Sequence, residues 1–192
     1  MRITKSDVIQ TAADIADKNG LSNVSLKAVA ESLNIRTPSL YNHIDSLEAL
    51  LREIAHNGMK TMNERIMQAA IGKIGDDAIK SVGITYLNYM IEHPGIYETI
   101  QWATWHGTEE TGKIFDNYLS LLKTLALSCN FNPVNIDEIL NLLTGVLHGY
   151  TTLQLRYAFT KPDESRAALS TALDTVLAGL HQKYDQHEKE HL

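Results

Sequence analysis

Residues 25–50 constrain the fold of this chain more strongly than any other stretch. They read SLKAVAESLNIRTPSLYNHIDSLEAL. Ser25 is a good N-cap, because its hydroxyl can accept a hydrogen bond from a free amide of the first helical turn. Asn34 tolerates the left-handed backbone conformation that a tight turn needs, so residues 34–36 are predicted to be a turn between two helices.

The second of these helices is short and polar. Thr37 is predicted to cap it, with Pro38 at the first helical position, where a missing N–H has no cost. Leu40 and Ile44 are four residues apart and can pack on the preceding helix. The opposite face carries Thr37, Ser39, Tyr41, Asn42 and His43. Such a helix suits insertion into a DNA major groove, but a helical hairpin with a solvated face explains the spacing equally well.

The residues themselves narrow this choice. TPSLYNHI, followed by DSLEALL, resembles the recognition helix and the next segment of the TetR family of bacterial repressors. The resemblance extends back through VSLKAVAESLNI and covers roughly residues 4–56. It implies phosphate contacts from Ser25, Lys27, Tyr41 and His43, and base contacts or flanking positions for Arg36, Thr37, Pro38, Ser39 and Asn42.

Two details refine the implied DNA contacts. A contact from Arg36 to a guanine would be the strongest discriminating one, worth about 1–3 kcal/mol. Leu47 stands where many members of the family carry a lysine that contacts a phosphate. The substitution removes one phosphate contact and should make binding slightly less sensitive to salt.

The charge distribution gives weak support for a nucleic-acid partner. The net charge is −6, and residues 1–56 hold six Lys or Arg and seven Asp or Glu. Lys5, Lys27 and Arg36 could still line one surface while the acidic residues point elsewhere. The single cysteine, Cys129, rules out an internal disulfide and is expected to be a buried thiol. With no signal peptide and no apolar run of membrane-spanning length, we expect a soluble, cytoplasmic protein with no membrane partner.

Helical periodicity runs through the whole chain, and no alternating strand pattern occurs. Thr4–Asp7 resembles a capping box, and the first helix is predicted to end at Gly20. Later helices are predicted at about 47–70, 76–93, 96–102, 109–129, 135–160 and 163–186. The fold class is therefore all-α with about nine helices. Residues 1–46 form a three-helix helix-turn-helix DNA-binding domain, and 47–192 form a larger helical ligand-binding and dimerisation domain.

Aromatic residues are concentrated in the second domain. Trp105-His106-Gly107 resembles a signature of one C-terminal subgroup of TetR-like regulators. These aromatics could be core residues, or they could line a pocket for an apolar or aromatic effector. The ligand-binding candidates under the second interpretation are Tyr89, Trp105, His106, Tyr150 and Gln154.

Gly145 and Gly149 lie four residues apart on a predicted helix, where small residues let a second helix approach closely. The family resemblance implies a homodimer that pairs the last two long helices of each subunit. Packing within one chain is the alternative.

His187 to His191 match the zinc-protease string H-E-x-x-H. Zinc catalysis would need both histidines on a rigid helix, a third ligand and a cleft, whereas this string lies in a highly charged tail. We find no nucleophile-base pair and no phosphate-binding glycine loop, so we predict no enzyme, metal or cofactor. The preferred hypothesis is a ligand-responsive repressor that binds a palindromic operator as a homodimer.

Overall fold

The structure is a computed structural model that describes residues 3–157 and 164–184. Within these two ranges the chain forms nine α-helices without an intervening strand, which confirms the all-α prediction. Among the described helices, none combines the length and the apolar character that crossing a membrane requires. The helices are α1 (Lys5–Asn19), α2 (Leu26–Ser32), α3 (Thr37–Leu40), α4 (Leu47–Ala70), α5 (Gly75–Glu92), α6 (Pro94–His106), α7 (Glu109–Leu127), α8 (Ile136–Leu155) and α9 (Ser165–Tyr184).

The chain divides into two compact units. Unit 1 takes Met1–Thr61 and Glu92–Phe115, and unit 2 takes Met62–Ile91 and Asp116–Leu192. Unit 1 therefore holds α1, α2, α3 and α6, whereas unit 2 holds α8 and α9. Helix α5 lies in unit 2 apart from its last residue, Glu92, and α4 and α7 each contribute residues to both units.

Local capping explains where α1 begins and ends. The Thr4 hydroxyl accepts a hydrogen bond from the Asp7 amide at 3.2 Å, and the Asp7 carboxylate accepts one from the Thr4 amide at 2.8 Å. This reciprocal pair is the predicted capping box. At the other end Gly20 has φ of 86°, a conformation that glycine adopts without strain.

The helix-turn-helix follows the predicted caps with one correction. The Ser25 hydroxyl accepts from the Ala28 amide at 3.1 Å, and Asn34 adopts φ of 54° in the turn, both as expected. The prediction that Thr37 caps α3 is wrong, because Arg36 occupies that position and Thr37 is already helical. The Arg36 carbonyl accepts the first hydrogen bond of the turn, from the Ser39 amide at 2.8 Å. Pro38 carries no N–H, so α3 has one fewer free donor to cap.

A single apolar core holds the four helices at the start of the chain. Val8 of α1, Val29 of α2, Leu40 of α3 and Leu50 of α4 are all 0% exposed. Each of these side chains packs against the other helices, and the burial of its apolar surface stabilises the bundle. Contact with this core therefore holds the inner side of α3 in place, although α3 is only four residues long.

Helix α6 is longer than the predicted span of 96–102. It begins at Pro94 and continues to His106. Pro94 does separate α5 from α6, but it is itself the first residue of α6, because proline is well tolerated in the first turn of a helix. The next two amides, of Gly95 and Ile96, donate to the carboxylate of Asp17 on α1, so this helix start is capped by a distant residue.

Two of the later helices, α7 and α8, end earlier than predicted. Helix α7 ends at Leu127 rather than 129. The helical spacing of its apolar residues predicts a buried Leu119, whereas Leu119 is 43% exposed. Helices α8 and α9 span Ile136–Leu155 and Ser165–Tyr184. Residues 158–163, predicted to separate them, and the 187–191 string lie outside the described residues.

Candidate nucleic-acid interface

Helix α3 turns an apolar side inward and a polar side outward. Leu40 and Ile44 are 0% and 4% exposed and anchor the segment on the core. Beyond the last helical residue, the His43 amide donates to the Leu40 carbonyl at 2.8 Å and continues the turn. The outward positions divide into exposed Arg36, Pro38, Tyr41 and Asn42 and half-buried Thr37, Ser39 and His43.

The two predicted DNA-contact residues at α2, Ser25 and Lys27, differ in their exposure. The Ser25 hydroxyl is half-buried and occupied by the Ala28 amide. Lys27 is well exposed, and its ammonium lies 3.8 Å from the Glu31 carboxylate, a surface pair of small energetic value. All nine predicted DNA-contact residues therefore lie within residues 25–43, on α2 and α3 or directly beside them, and none of them is buried. Lys5, the other cation we considered, forms an ion pair with Glu53 of α4.

This surface offers several kinds of hydrogen-bonding group. It presents hydroxyls, one carboxamide, one imidazole and one guanidinium, which can bond to base edges and phosphate oxygens. Arg36 is exposed and is the side chain best suited to a bidentate contact with guanine. The arrangement can bind a nucleic acid through specific contacts more readily than through bulk positive charge.

A joint between α1 and α6 supports the bundle, and sequence reasoning missed it. The Asp17 carboxylate accepts hydrogen bonds from the amides of Gly95 at 2.8 Å and Ile96 at 3.1 Å, and is 2.9 Å from the His93 Nδ1 atom. A Cβ atom on Gly95 would lie 2.1 Å from the Ala16 carbonyl carbon. The only signal in the sequence was the helix-starting His-Pro-Gly, which does not identify its partner.

A buried histidine links α4 to α7 within the same unit. The Nε2 atom of His56 lies 2.7 Å from the Thr111 hydroxyl, and His56 is 5% exposed. Burial lowers the pKa of His56, an effect that the nearby Glu110 carboxylate partly opposes. Burial therefore favours the neutral imidazole in the folded protein.

The five predicted ligand-binding residues fall in different units. Trp105 and His106 belong to unit 1, whereas Tyr89, Tyr150 and Gln154 belong to unit 2. Trp105 is 86% exposed, so it is not a core residue, and the His106 ring stacks on Trp102 at 4.6 Å between ring centres.

The three candidates in unit 2 differ in their surroundings. Tyr89 is 2% exposed, and the guanidinium of Arg65 lies 4.8 Å from the centre of its ring. Tyr150 and Gln154 are half-buried on α8. The side-chain oxygen of Gln154 is buried without a hydrogen-bond partner among the described residues.

Sequence reasoning also missed a group of three rings in unit 2. Tyr86 of α5 stacks on Tyr118 of α7 with ring centres 6.4 Å apart, and its hydroxyl lies 3.3 Å from the Nδ1 atom of His148 on α8. Burial lowers the pKa of His148 and raises the pKa of Tyr118, so both side chains are neutral near pH 7. These residues come from three separate helices, so no local pattern indicates that they meet.

The outer side of α8 exposes apolar side chains. Leu142 and Leu153 are 47% and 42% exposed. A Cβ atom added to Gly145 or Gly149 would meet no described atom within 4 Å, so these glycines do not serve packing within this part of the chain. An open groove of about 550 Å³ lies between α8 and α9, and its lining is mixed: Glu138, Leu142, Thr175, Val176, Gly179, Leu180, Lys183 and Tyr184.

Comparison with known proteins identifies the family. The sequence model of a family described as "Tetracyclin repressor-like, C-terminal domain" matches residues 79–176, about half of the chain. The HTH-type transcriptional regulator YobS of Bacillus subtilis (strain 168), itself described as uncharacterized, is 30% identical over 179 residues, which cover 93% of each protein. The chain belongs to the TetR family of transcriptional regulators.

Further relatives of this TetR-family regulator agree in fold. A regulator of Mycobacterium tuberculosis, also described as uncharacterized and of the HTH type, is 29% identical over 96 residues, which are 50% of this chain and 44% of that protein. A TetR variant from Acinetobacter baumannii AYE, solved in complex with minocycline, is 19% identical with a TM-score of 0.72 and covers 96% of this chain and 100% of that one. A protein of unknown function from Rhodococcus sp. RHA1 is 15% identical with a TM-score of 0.82 and covers 94% and 96%. At these identities the two structures show the fold alone.

Membership of the family settles the function at a coarse level. This TetR-family protein is a DNA-binding, helix-turn-helix regulator of transcription and is not an enzyme, which sets aside the hypothesis of zinc catalysis. The individual contact residues on α2 and α3, and those of the ligand site, stay predictions drawn from the sequence.

Proposed function

We propose that this TetR-family regulator is a repressor that binds a palindromic operator as a homodimer and leaves it when a small molecule binds. Residues 1–46 would act as the DNA-binding domain and residues 47–192 as the regulatory and dimerisation domain. The protein would act in the cytoplasm, where bacterial DNA lies. The observation that carries this proposal is the segment 36–44 around helix α3, which is anchored by Leu40 and Ile44 and exposes Arg36 and Asn42.

The proposed DNA contacts follow from the exposure of the side chains. Arg36 and Asn42 would read base edges, with Thr37, Pro38 and Ser39 beside them. Ser25, Lys27, Tyr41 and His43 would hold the phosphate backbone and fix the register of α3. The near-neutral charge of the bundle makes the specific contacts more important than non-specific attraction, so we expect a shallow salt dependence.

A homodimer is supported by the outer sides of α8 and α9. The glycines at 145 and 149 leave room for a second helix, and the neighbouring Leu142 and Leu153 offer apolar surface to bury. Two subunits related by a two-fold axis would present two copies of α3 to successive major grooves about 34–36 Å apart. Specific recognition needs this pairing, because a single short helix contacts too few bases.

An effector site in the regulatory domain is the third part of the proposal. A fold relative has been solved with minocycline, which supports a small-molecule ligand without indicating its chemistry. The effector must bind the DNA-free form more tightly than the DNA-bound form, or it shifts nothing. We place the effector in unit 2, where Tyr89, Tyr150 and Gln154 lie, and regard Trp105 and His106 as a surface to be tested separately.

The proposal is tested by fluorescence anisotropy of the purified protein with duplex fragments from the region upstream of its own gene. We expect sequence-selective binding that places two symmetric half-sites about one helical turn apart. Arg36→Ala should weaken binding to the selected site by about tenfold or more. Lys18→Ala is the matched control, because Lys18 is an exposed cation at the end of α1 and is not one of the predicted contacts. Equal binding to all duplexes, or a monomer in sedimentation at working concentration, would refute the proposal.

A further inference from the structure

Residues 105–111 connect α6 to α7 within unit 1, and we call them the corner. Gly107, the last residue of the Trp-His-Gly signature, has φ of −75° and ψ of 170°, which any residue can adopt. A Cβ atom at this position would nevertheless lie 2.7 Å from the Ala103 carbonyl oxygen and 2.9 Å from the Thr111 side chain. Glycine is therefore required here by space and not by backbone conformation.

Side chains of the corner fix the helix ends on both sides of Gly107. The His106 Nδ1 atom donates to the Trp102 carbonyl at 3.0 Å, and the two rings stack, so the last turn of α6 is closed. The Thr111 hydroxyl accepts a hydrogen bond from the Thr108 amide at 3.0 Å and thereby caps the first turn of α7. The corner is therefore held in one shape by its own residues.

Helix α4 turns three polar side chains toward the corner. They are Arg52, His56 and Lys60, which we call the polar row, and their spacing of four residues places them on one side of the helix. The Arg52 guanidinium donates to the His106 carbonyl at 3.4 Å. The Lys60 ammonium lies 3.7 Å from the carboxylate of Glu110. The polar row therefore reaches the end of α6 and the start of α7 together.

The buried contact of the polar row is made by its middle residue. The His56 Nε2 atom lies 2.7 Å from the Thr111 hydroxyl, and the two residues are 5% and 3% exposed. Because this hydroxyl accepts from the Thr108 amide, its own proton can be donated to the His56 Nε2 atom. The ion pair of Lys60 is exposed and contributes little to stability. The hydrogen bond between His56 and Thr111 is therefore the contact of the row that depends most on exact placement.

The opposite side of α4 belongs to the core of the DNA-binding bundle. Leu50 and Ile54 are 0% and 1% exposed in the core that also contains Leu40 of α3. Each lies two residues from Arg52, which is about 200° around a helix of 3.6 residues per turn. This part of α4 is therefore held between the corner on one side and the core beneath α3 on the other.

We propose that His56 and Thr111 are positioning residues for DNA binding, and that their contact depends on Gly107 of the Trp-His-Gly signature. They act through α4 on α3, whose placement decides whether Arg36 and Asn42 reach base edges. Only a fraction of the protein is competent to bind DNA when α4 is displaced, and the apparent affinity falls by that fraction. This role rests on the proposed function, because it takes α3 as the element that reads the operator.

The test measures fluorescence anisotropy of the full-length protein with its selected operator duplex. Thr111→Val keeps the shape of the side chain and removes the hydroxyl, so binding should weaken about tenfold, as expected for the loss of one buried hydrogen bond. Thr111→Ser keeps the hydroxyl and should bind within about twofold of the parent. Thr151→Val is the matched control, because Thr151 is also fully buried but its hydroxyl donates to Leu147 within α8. Parent-like binding of Thr111→Val, or no rescue by Thr111→Ser, would overturn the proposal.

Substitutions within the corner provide a second measurement if Thr111→Val does not fold. Gly107→Ala pushes the Thr111 side chain away and should also weaken operator binding about tenfold, whereas Gly112→Ala on α7 meets no described atom and should not. Trp105→Ala should bind as the parent does, because Trp105 is 86% exposed. Equal affinities of the two glycine variants, or a loss in Trp105→Ala as large as in Gly107→Ala, would contradict the assignment.

Hydrogen exchange without DNA separates this role from the proposed function. Thr111→Val should raise the amide exchange of residues 36–44 about tenfold, and Thr111→Ser should not, because exchange follows local opening. If exchange responds in this way but the parent selects no duplex, the positioning of α3 stands and the repressor proposal is refuted. If the parent selects its operator and neither affinity nor exchange responds to Thr111→Val, the positioning role is wrong and the proposed function stands.

Discussion

The two units of the molecule differ in how far their buried polar groups find hydrogen-bond partners. In unit 1, Asp17 accepts two backbone amides and contacts His93, and His56 is hydrogen-bonded to Thr111. In unit 2, the oxygens of Asn63, Tyr118 and Gln154 are buried without a partner in the described part of the chain. Satisfied polar networks make a structure rigid, whereas unsatisfied groups are available to a ligand.

The difference suggests a division of labour. Unit 1 presents α3, and a helix that must fit a groove needs a fixed platform. Unit 2 contains buried polar atoms without a hydrogen-bond partner in the described part of the chain, and these atoms lower its stability. A ligand that pairs with them can therefore shift the conformational equilibrium of unit 2. Substitutions at the joint between α1 and α6 should therefore destabilise unit 1, whereas removal of an unpaired buried hydroxyl should stabilise unit 2.

The largest effect is expected at the close contact between α6 and α1. Gly95→Ala places a Cβ atom 2.1 Å from the Ala16 carbonyl carbon and 2.4 Å from the Asp17 amide, so backbone has to move. We expect a loss of about 3 kcal/mol in the free energy of unfolding, measured by urea denaturation. Gly112→Ala is the control, because its Cβ would meet nothing within 4 Å and should stabilise α7 slightly. Similar effects of the two substitutions would show that the joint is not rigid.

The next largest loss of stability is expected when the Asp17 carboxylate between α1 and α6 is removed. Asp17→Ala leaves the amides of Gly95 and Ile96 without their acceptor and removes the contact with His93. We expect a loss of about 2 kcal/mol, since hydrogen bonds to a charged group are worth more than neutral ones. Asp14→Ala on the same helix removes only an exposed contact with Gln10 and should change stability little. If Asp14→Ala costs as much, capping of α6 is not the cause.

Local signals in the sequence predicted some elements accurately and others poorly. Helix α4 has the predicted bounds, since Ser46 caps it and Gly72 follows its end. Helix α6 was misjudged because the cap of its first turn is Asp17, which lies 78 residues before Gly95 in the chain. Caps made by neighbouring residues can be inferred from sequence, and caps made by distant residues cannot.

The candidate sites also differ in whether they can be inferred from the sequence alone. The proposed DNA-contact residues all lie between residues 25 and 43, so a local motif is enough to predict them. Tyr86, Tyr118 and His148 meet only after α5, α7 and α8 have packed, and each is an ordinary core aromatic or histidine in its own helix. The exposure of Trp105 is also a tertiary property, because nothing in a helical pattern decides which aromatic the fold covers.

A gain in stability is expected in unit 2. Tyr118→Phe removes a hydroxyl that has no partner in the described structure, so unfolding should become harder by about 1 kcal/mol. Tyr86→Phe removes a hydroxyl bonded to His148 and should lower stability by a similar or smaller amount. Thermal unfolding of both variants without ligand measures the difference. A loss of stability in Tyr118→Phe would mean that its hydroxyl has a partner in solution, and the contrast between the units would disappear.

The smallest effect concerns pH and two histidines, the buried His56 in unit 1 and the half-buried His148 in unit 2. Burial lowers the folded pKa of both His56 and His148 below the ordinary value of 6.5. As the pH falls below 6.5, the unfolded chain therefore takes up protons that the folded chain does not, and stability present above that pH is lost as the folded pKa is approached. We expect Tm to fall between about pH 7.5 and 5.5, and His56→Gln to reduce this fall by at most about 2 °C. His148→Gln measures the contribution of unit 2 separately. If neither substitution changes the pH dependence, both histidines titrate normally and are less enclosed than the structure indicates.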